Sequence, residues 1–193
     1  MADASDALQR LLDGNGRYVA GRSTHPNQGT ERRAQVVSGQ NPFAVILGCS
    51  DSRVPPEILF DQGIGDLFII RVAGNIADPT VLGSIEYAVE HLSVPLVIVL
   101  GHAKCGAVQA AVKGGTAEGH VQVLIKAIQP AVEKAAAENG GDMVEKTVIE
   151  NVSLVVSQIK SSPPILSKMV GDGRVKVVGA RYDLESGRVE VVG

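Results

Sequence analysis

The chain has 193 residues, 45% of them hydrophobic, enough to bury one sizeable core without a disulfide or metal merely to hold it together. Its formal net charge is -3, from 18 Lys and Arg against 21 Asp and Glu, and no basic run or aromatic-basic interleaving tracks a phosphate backbone, so nucleic acid is not an expected partner. The first twenty residues lack the apolar core of a secretory signal, and the longest apolar stretch, VPLVIVLG at 94–101, is too short to span a bilayer; a cytoplasmic protein with no membrane partner is expected.

In chain order, residues 4–20 and 29–39 read as helices that precede the first strand, joined by the polar loop GRSTHPNQGT. They have no slot in the pattern that follows, and are equally compatible with an arm lying on a neighbouring subunit or a plain surface helix. Three continuous apolar runs come next: PFAVILG (42–48), DLFIIRV (66–72) and PLVIVLG (95–101). Continuous rather than alternating apolar strands suit a parallel sheet covered on both faces. Between the runs, 55–63 offers a short helix opening on proline. The segment 78–92 offers a longer one, with Asp78 as N-cap, Pro79 at the first turn, and Val81, Ile85, Ala88 and Leu92 at helical spacing. Further helices are expected over 104–115, 120–138, 142–160 and 161–173. The closing runs RVKVVGARYD (174–183) and RVEVVG (188–193) flank a glycine-containing turn and read as a hairpin. The expected fold is one α/β domain: a mostly parallel central sheet with flanking helices, an N-terminal helical arm over 1–39, an α/β core over 40–193, and a C-terminal antiparallel edge hairpin.

In open α/β sheets ligands collect beyond the carboxyl ends of the strands. Cys49 follows the first apolar run and His102 follows the third, so neighbouring strands would bring them side by side; Cys105 lies three residues after His102. Two thiolates and an imidazole are donors that zinc favours, and three protein ligands leave a fourth tetrahedral position open. A small buried hydrophobe is the ordinary role of a free cysteine, and His-x-x-Cys alone is a weak pattern; Cys49 at the matching end of another strand strengthens the metal reading. The only two cysteines lie far apart with no Cys-x-x-Cys, which disfavours a redox pair. Asp51 and Arg53 sit two and four residues past Cys49. A guanidinium fork holds a carboxylate ionised and aimed, so Asp51 could orient a metal-bound hydroxide, or, released, fill the fourth position itself.

The ordered set CSDSRVPPE (49–57), RVAGN (71–75), SIEYAVEHL (84–92) and GHAKCGAV (101–108) resembles the β-class carbonic anhydrases, and the likeness runs from about residue 4 to the end. The resemblance implies one Zn2+ per subunit held by Cys49, His102 and Cys105, with an Asp51–Arg53 dyad, and reversible hydration of CO2 to bicarbonate by a zinc-bound hydroxide. It further implies a homo-oligomer, a dimer or dimer of dimers, with the N-terminal arm embracing the partner. In the plant-like branch a glutamine, a phenylalanine and a tyrosine line the substrate pocket near the subunit interface, and Gln40, Phe68 and Tyr87 fall on those positions; Gly106 is compatible with backbone approaching the substrate or with easing helix packing. The chain has no tryptophan, which the other branch uses for a separate bicarbonate site, so an open zinc site is expected. The competing readings are a carbonyl sulfide or carbon disulfide hydrolase on the same scaffold, and a non-catalytic zinc-binding assembly module. His25, His91 and His120 read as surface or packing residues.

Overall fold

The apolar runs fold as strands of one sheet in the computed structural model, which describes residues 3–192. Among the described residues the strands are β1 (Ala44–Gly48), β2 (Leu67–Arg71), β3 (Leu96–His102), β4 (Lys176–Tyr182) and β5 (Val189–Val192), ordered β2-β1-β3-β4-β5. The pairs β1–β2, β1–β3 and β3–β4 are parallel; β4–β5 is the antiparallel hairpin expected from the C-terminal sequence. The chain therefore leaves β1 for one side of it and returns as β3 on the other, placing a topological switch between β1 and β3. The helices are α1 (Ala4–Val19), α2 (Thr30–Gln35), α3 (Pro56–Leu59), α4 (Pro79–His91), α5 (Gly106–Lys113), α6 (Val121–Ala136), α7 (Met143–Ser161) and α8 (Ile165–Gly171). None is long and apolar enough to cross a membrane.

Strand side chains alternate between the two faces, and each face has its own core. Val45, Leu47, Val97, Val99 and Val177 meet α4, α7 and α8 through Val81, Ile85, Val152, Val155, Ile159 and Leu166. Ala44, Ile46, Leu96, Ile98, Leu100 and Val178 meet Ala7 and Leu11 of α1 and Leu59 beside it. The α4 cap forms as its sequence dictates: the Val81 N–H donates to Asp78 Oδ1 at 2.8 Å, a contribution of about 1 kcal/mol. Helix α7 lies against the sheet because two strand glycines make room. A Cβ on Gly101 would stand 2.6 Å from Val152 Cγ2, and one on Gly179 would stand 2.7 Å from Val152 Cγ1. Val152 is thus seated over β3 and β4, which fixes where the neighbouring α7 residues point.

Two features differ from the sequence reading. The run at 66–72 reads as an interior strand, yet β2 is the sheet edge, with Leu67 to Ile70 only partly buried; it pairs with β1 on one side, and no strand among the described residues pairs with its other side. Helix α1 is seated on its own sheet. Asn15 of α1 is buried and pins it there: its Nδ2 donates to Leu59 O at 3.1 Å and Gly187 O at 2.9 Å, and the Val189 N–H donates to its Oδ1 at 2.9 Å. The remainder of the predicted arm is different, since α2 has no buried residue and Val37 beyond it is 82% exposed.

Candidate metal centre

Strand β1 ends at Gly48 and hands the chain to Cys49; strand β3 ends on His102; Cys105 is the N-cap of α5. Because β1 and β3 are neighbours, with Gly48 opposite Leu100, the three side chains emerge into the crevice at the switch point. The two Sγ atoms are 4.0 Å apart, and both sulfurs and an imidazole nitrogen lie within 4.8 Å of one another. All three residues are buried, beneath Ile76, Val108, Ile125, Ile128 and Val148.

The donor set fits a metal ion on chemical grounds. His102 Nδ1 lies 2.9 Å from Ala103 O, so Nδ1 carries the proton and donates, leaving the Nε2 lone pair free. Nε2 is buried and has no hydrogen-bond partner in the protein, an arrangement that costs stability unless something accepts its lone pair. The thiols are coupled. Cys49 is pulled far below the ordinary thiol value, foremost by the hydrogen bond from Cys105, against an opposing push from burial. Cys105 is pushed up, because its proton is shared with Cys49 and burial disfavours a second negative charge. One ionised sulfur is therefore easy and two are costly, unless a cation sits between them. Two sulfurs and a neutral imidazole suit a borderline divalent cation and leave a tetrahedral position unfilled by protein.

Beside this cluster Asp51 is held in a fork by Arg53. Arg53 Nε donates to Oδ1 at 2.9 Å and Nη2 to Oδ2 at 2.7 Å, with the Arg53 backbone N–H adding a third bond to Oδ1 at 3.0 Å. The hydrogen bonds from Arg53 hold the Asp51 carboxyl well below the usual carboxylate range, outweighing partial burial. The loop carrying both residues is itself gripped by Arg71 at the end of β2, whose Nε donates to Cys49 O at 2.9 Å and Nη2 to Asp51 O at 2.6 Å. On the other side, the Gly74 N–H donates to Cys49 Sγ at 3.3 Å.

The expected pocket residues are not all brought to this cluster. Gly106 adjoins it only as the residue after Cys105: it is exposed, and a Cβ there would meet nothing within 4 Å. Gln40 is exposed and precedes β1, at the end of the sheet opposite Cys49. Phe68 lies three residues before Arg71 on β2, about 10 Å down the strand, and packs against Tyr87 of α4 with ring centroids 6.2 Å apart. Tyr87 is 49% exposed and also faces His91 at 5.3 Å. These residues form a half-exposed aromatic patch beside the β2 edge, away from their own chain's ligands. Sequence reasoning left Arg71 and Gly74 without individual roles, although both lie in the RVAGN segment, and missed Asn151 altogether. Arg71 could have been found from its place at the carboxyl end of a strand paired with β1.

The fold and the side-chain cluster define an open-sheet α/β protein with a buried Cys-His-Cys group that could hold a metal ion and a carboxylate-guanidinium pair beside it. The carbonic anhydrase family model matches residues 44–189, and the chain belongs to that family, in its β class. It is 43% identical over 189 residues to the carbonic anhydrase of Mycolicibacterium smegmatis, spanning 96% of this chain and 91% of that one. It is 43% identical over 186 residues to carbonic anhydrase 2 of Mycobacterium tuberculosis, spanning 94% and 89%. Among solved structures, the Coccomyxa β-carbonic anhydrase in complex with acetazolamide superposes with a TM-score of 0.75 at 29% identity, covering 99% of this chain and 86% of that one. The Aspergillus fumigatus β-carbonic anhydrase CafA gives 0.74 at 29%, covering 96% and 90%.

Proposed function

We propose that this protein is a zinc-dependent carbonic anhydrase that interconverts CO2 and water with bicarbonate and a proton, with Cys49, His102 and Cys105 as the zinc ligands. The observation that carries this reading is the buried, unpartnered Nε2 of His102 facing two coupled sulfurs, next to a carboxylate that Arg53 already holds. A zinc ion held by these three residues would supply the Lewis acidity that makes water nucleophilic near neutral pH. The residues of the chain do the rest. Asp51, ionised in the grip of Arg53 and with its Oδ2 3.9 Å from His102 Nε2, would accept a hydrogen bond from a water or hydroxyl at the cluster and so orient its lone pair. Arg71 keeps that carboxylate's backbone in register with Cys49. Gly106 leaves room for linear CO2 beside the ligands, and the apolar side chains around the cluster exclude competing water.

Assignment to the plant-like branch, with an open site, rests on Gln40, Phe68 and Tyr87, on the absence of tryptophan, and on both Asp51 oxygens being engaged by Arg53. The working unit is a homodimer, or a dimer of dimers, in the cytoplasm, built from one domain over 1–193 with 1–39 as its arm. What supports the dimer is the half-buried β2 edge, the exposed Tyr87 beside it and the uncovered 30–39 segment; a second copy would cover them and bring Gln40, Phe68 and Tyr87 to a substrate pocket at the interface. A reducing compartment keeps Cys49 and Cys105 free to bind metal. The test is zinc content and CO2 hydration of the purified protein before and after chelation, with carbonyl sulfide as a parallel substrate. One zinc per chain and CO2 turnover lost on chelation and restored by zinc are expected. Stoichiometric zinc without CO2 turnover would make it an assembly module instead, and faster turnover of carbonyl sulfide would make it a hydrolase.

A further inference from the structure

We propose that Asn151 of α7 is a positioning residue for the Cys49 thiolate, acting through the backbone of Gly74; this rests on the metal-site reading above. The path is short and buried. Asn151 Nδ2 donates to Gly74 O at 2.9 Å, and the N–H of the same glycine donates to Cys49 Sγ at 3.3 Å. Holding the carbonyl of Gly74 fixes the rotation of its residue, and that rotation aims its N–H at the sulfur. Gly74 needs such a clamp because it sits at φ 74°, ψ 15°, inside a single helical turn at Ala73–Asn75. No side chain substitutes for the glycine: a Cβ would fall 2.7 Å from Ile128 Cδ1 and 3.2 Å from Ala107 Cβ.

Helix propensity and apolar packing do not account for an asparagine at this position. Asn151 is 1% exposed in the middle of a helix whose buried face is otherwise apolar apart from Thr147, and the Thr147 hydroxyl is satisfied within the helix by Met143 O at 2.7 Å. Asparagine is a poor helix former, and its buried amide retains an unpartnered Oδ1. A leucine of similar size would suit the helix better, but could not hold the Gly74 carbonyl. The register of α7 serves the same end, since Val152 is locked over Gly101 and Gly179 and so directs the residue before it towards Gly74. An N–H donated to a ligating sulfur lowers the energy of the sulfur lone pair, and orders the sulfur before any metal arrives. Removing the clamp should raise the lone-pair energy, which moves charge transfer to lower energy, and should leave the sulfur unordered before metal arrives, which weakens metal capture.

The test uses the full chain stripped of metal and loaded with cobalt(II) alone, comparing wild type with Asn151→Leu after circular dichroism shows both folded. Expected are a sulfur-to-cobalt charge-transfer band moved to longer wavelength in the variant, and metal affinity roughly 10–100-fold weaker by competition with a chelator. An unchanged band and affinity within twofold, in a folded variant, would overturn the proposal and leave the metal site standing. Absence of the charge-transfer band in wild type would instead overturn the metal-site reading, and this inference with it. Should Asn151→Leu not fold, wild type loaded with NMR-active cadmium decides: scalar coupling from the metal to the Gly74 amide proton supports the path. Coupling to the Cys49 β-protons without any to that amide overturns it.

Discussion

Arg53 Nη2 stands 2.7 Å from Asp51 Oδ2, the same oxygen that lies 3.9 Å from the free Nε2 of His102. A carboxylate so committed has little freedom to move towards the Cys49–His102–Cys105 cluster. The guanidinium thereby decides whether Asp51 acts as an orienting acceptor or as a fourth ligand.

Replacing the acceptor separates those roles. Asp51→Ala is expected to keep one metal per chain and lose about 10²–10⁴-fold in kcat, read by metal analysis and stopped-flow CO2 hydration. Arg53→Lys keeps the charge but not the two-pronged grip, and should fall between wild type and Asp51→Ala. A fully active Asp51→Ala enzyme would remove the dyad from the mechanism.

The seat of α7 on the sheet can be tested by overfilling it. Gly101→Ala puts a methyl 2.6 Å from Val152 Cγ2, and should cost about 1–3 kcal/mol in urea denaturation. Adding Val152→Ala should return part of that loss, so that the double variant is more stable than the two single effects predict. Simple additivity would mean that the two side chains do not meet.

Asp61, which is not part of the Cys49–His102–Cys105 cluster, should add to the acid sensitivity of the fold. Burial alone would raise its pKa, but the Thr24 backbone N–H, the Arg17 side chain at 2.6 Å and the His25 N–H together outweigh it and hold the carboxyl below its ordinary value. A pKa lowered by folding gives stability that is fully present above the unfolded value, about 4, and lost as pH falls through that value towards the folded one. Asp61→Asn should therefore be less stable than wild type at pH 7, with the gap closing below about pH 4 in thermal melts. A gap independent of pH would show that the loss is packing rather than charge.

The strands were legible because a continuous apolar run has few other uses, and β1, β3, α4 and the terminal hairpin form where the pattern puts them. Strand order was not legible: Leu67 to Ile70 look as apolar as an interior strand, and only the pairing of β1 with β3 puts them at an edge. Cys49 and His102 could be placed because both lie at the carboxyl ends of strands, and Cys105 because it is three residues on from His102. Asn151 could not, because its partner is a backbone carbonyl 77 positions away, and a polar residue in an amphipathic helix ordinarily marks the solvent side. Gln40 shows another limit, since motif spacing along a chain does not say at which end of the sheet, or in which copy of the chain, a residue meets the ligands.

Zinc K-edge X-ray absorption of the protein as purified tests the central claim most directly. Cys49, His102 and Cys105 around one ion require two sulfur neighbours at about 2.3 Å and two lighter ones at about 2.0–2.1 Å, falling to one sulfur or to no bound zinc in Cys105→Ala. A zinc shell without sulfur, or one in which Cys105→Ala changes nothing, would contradict it.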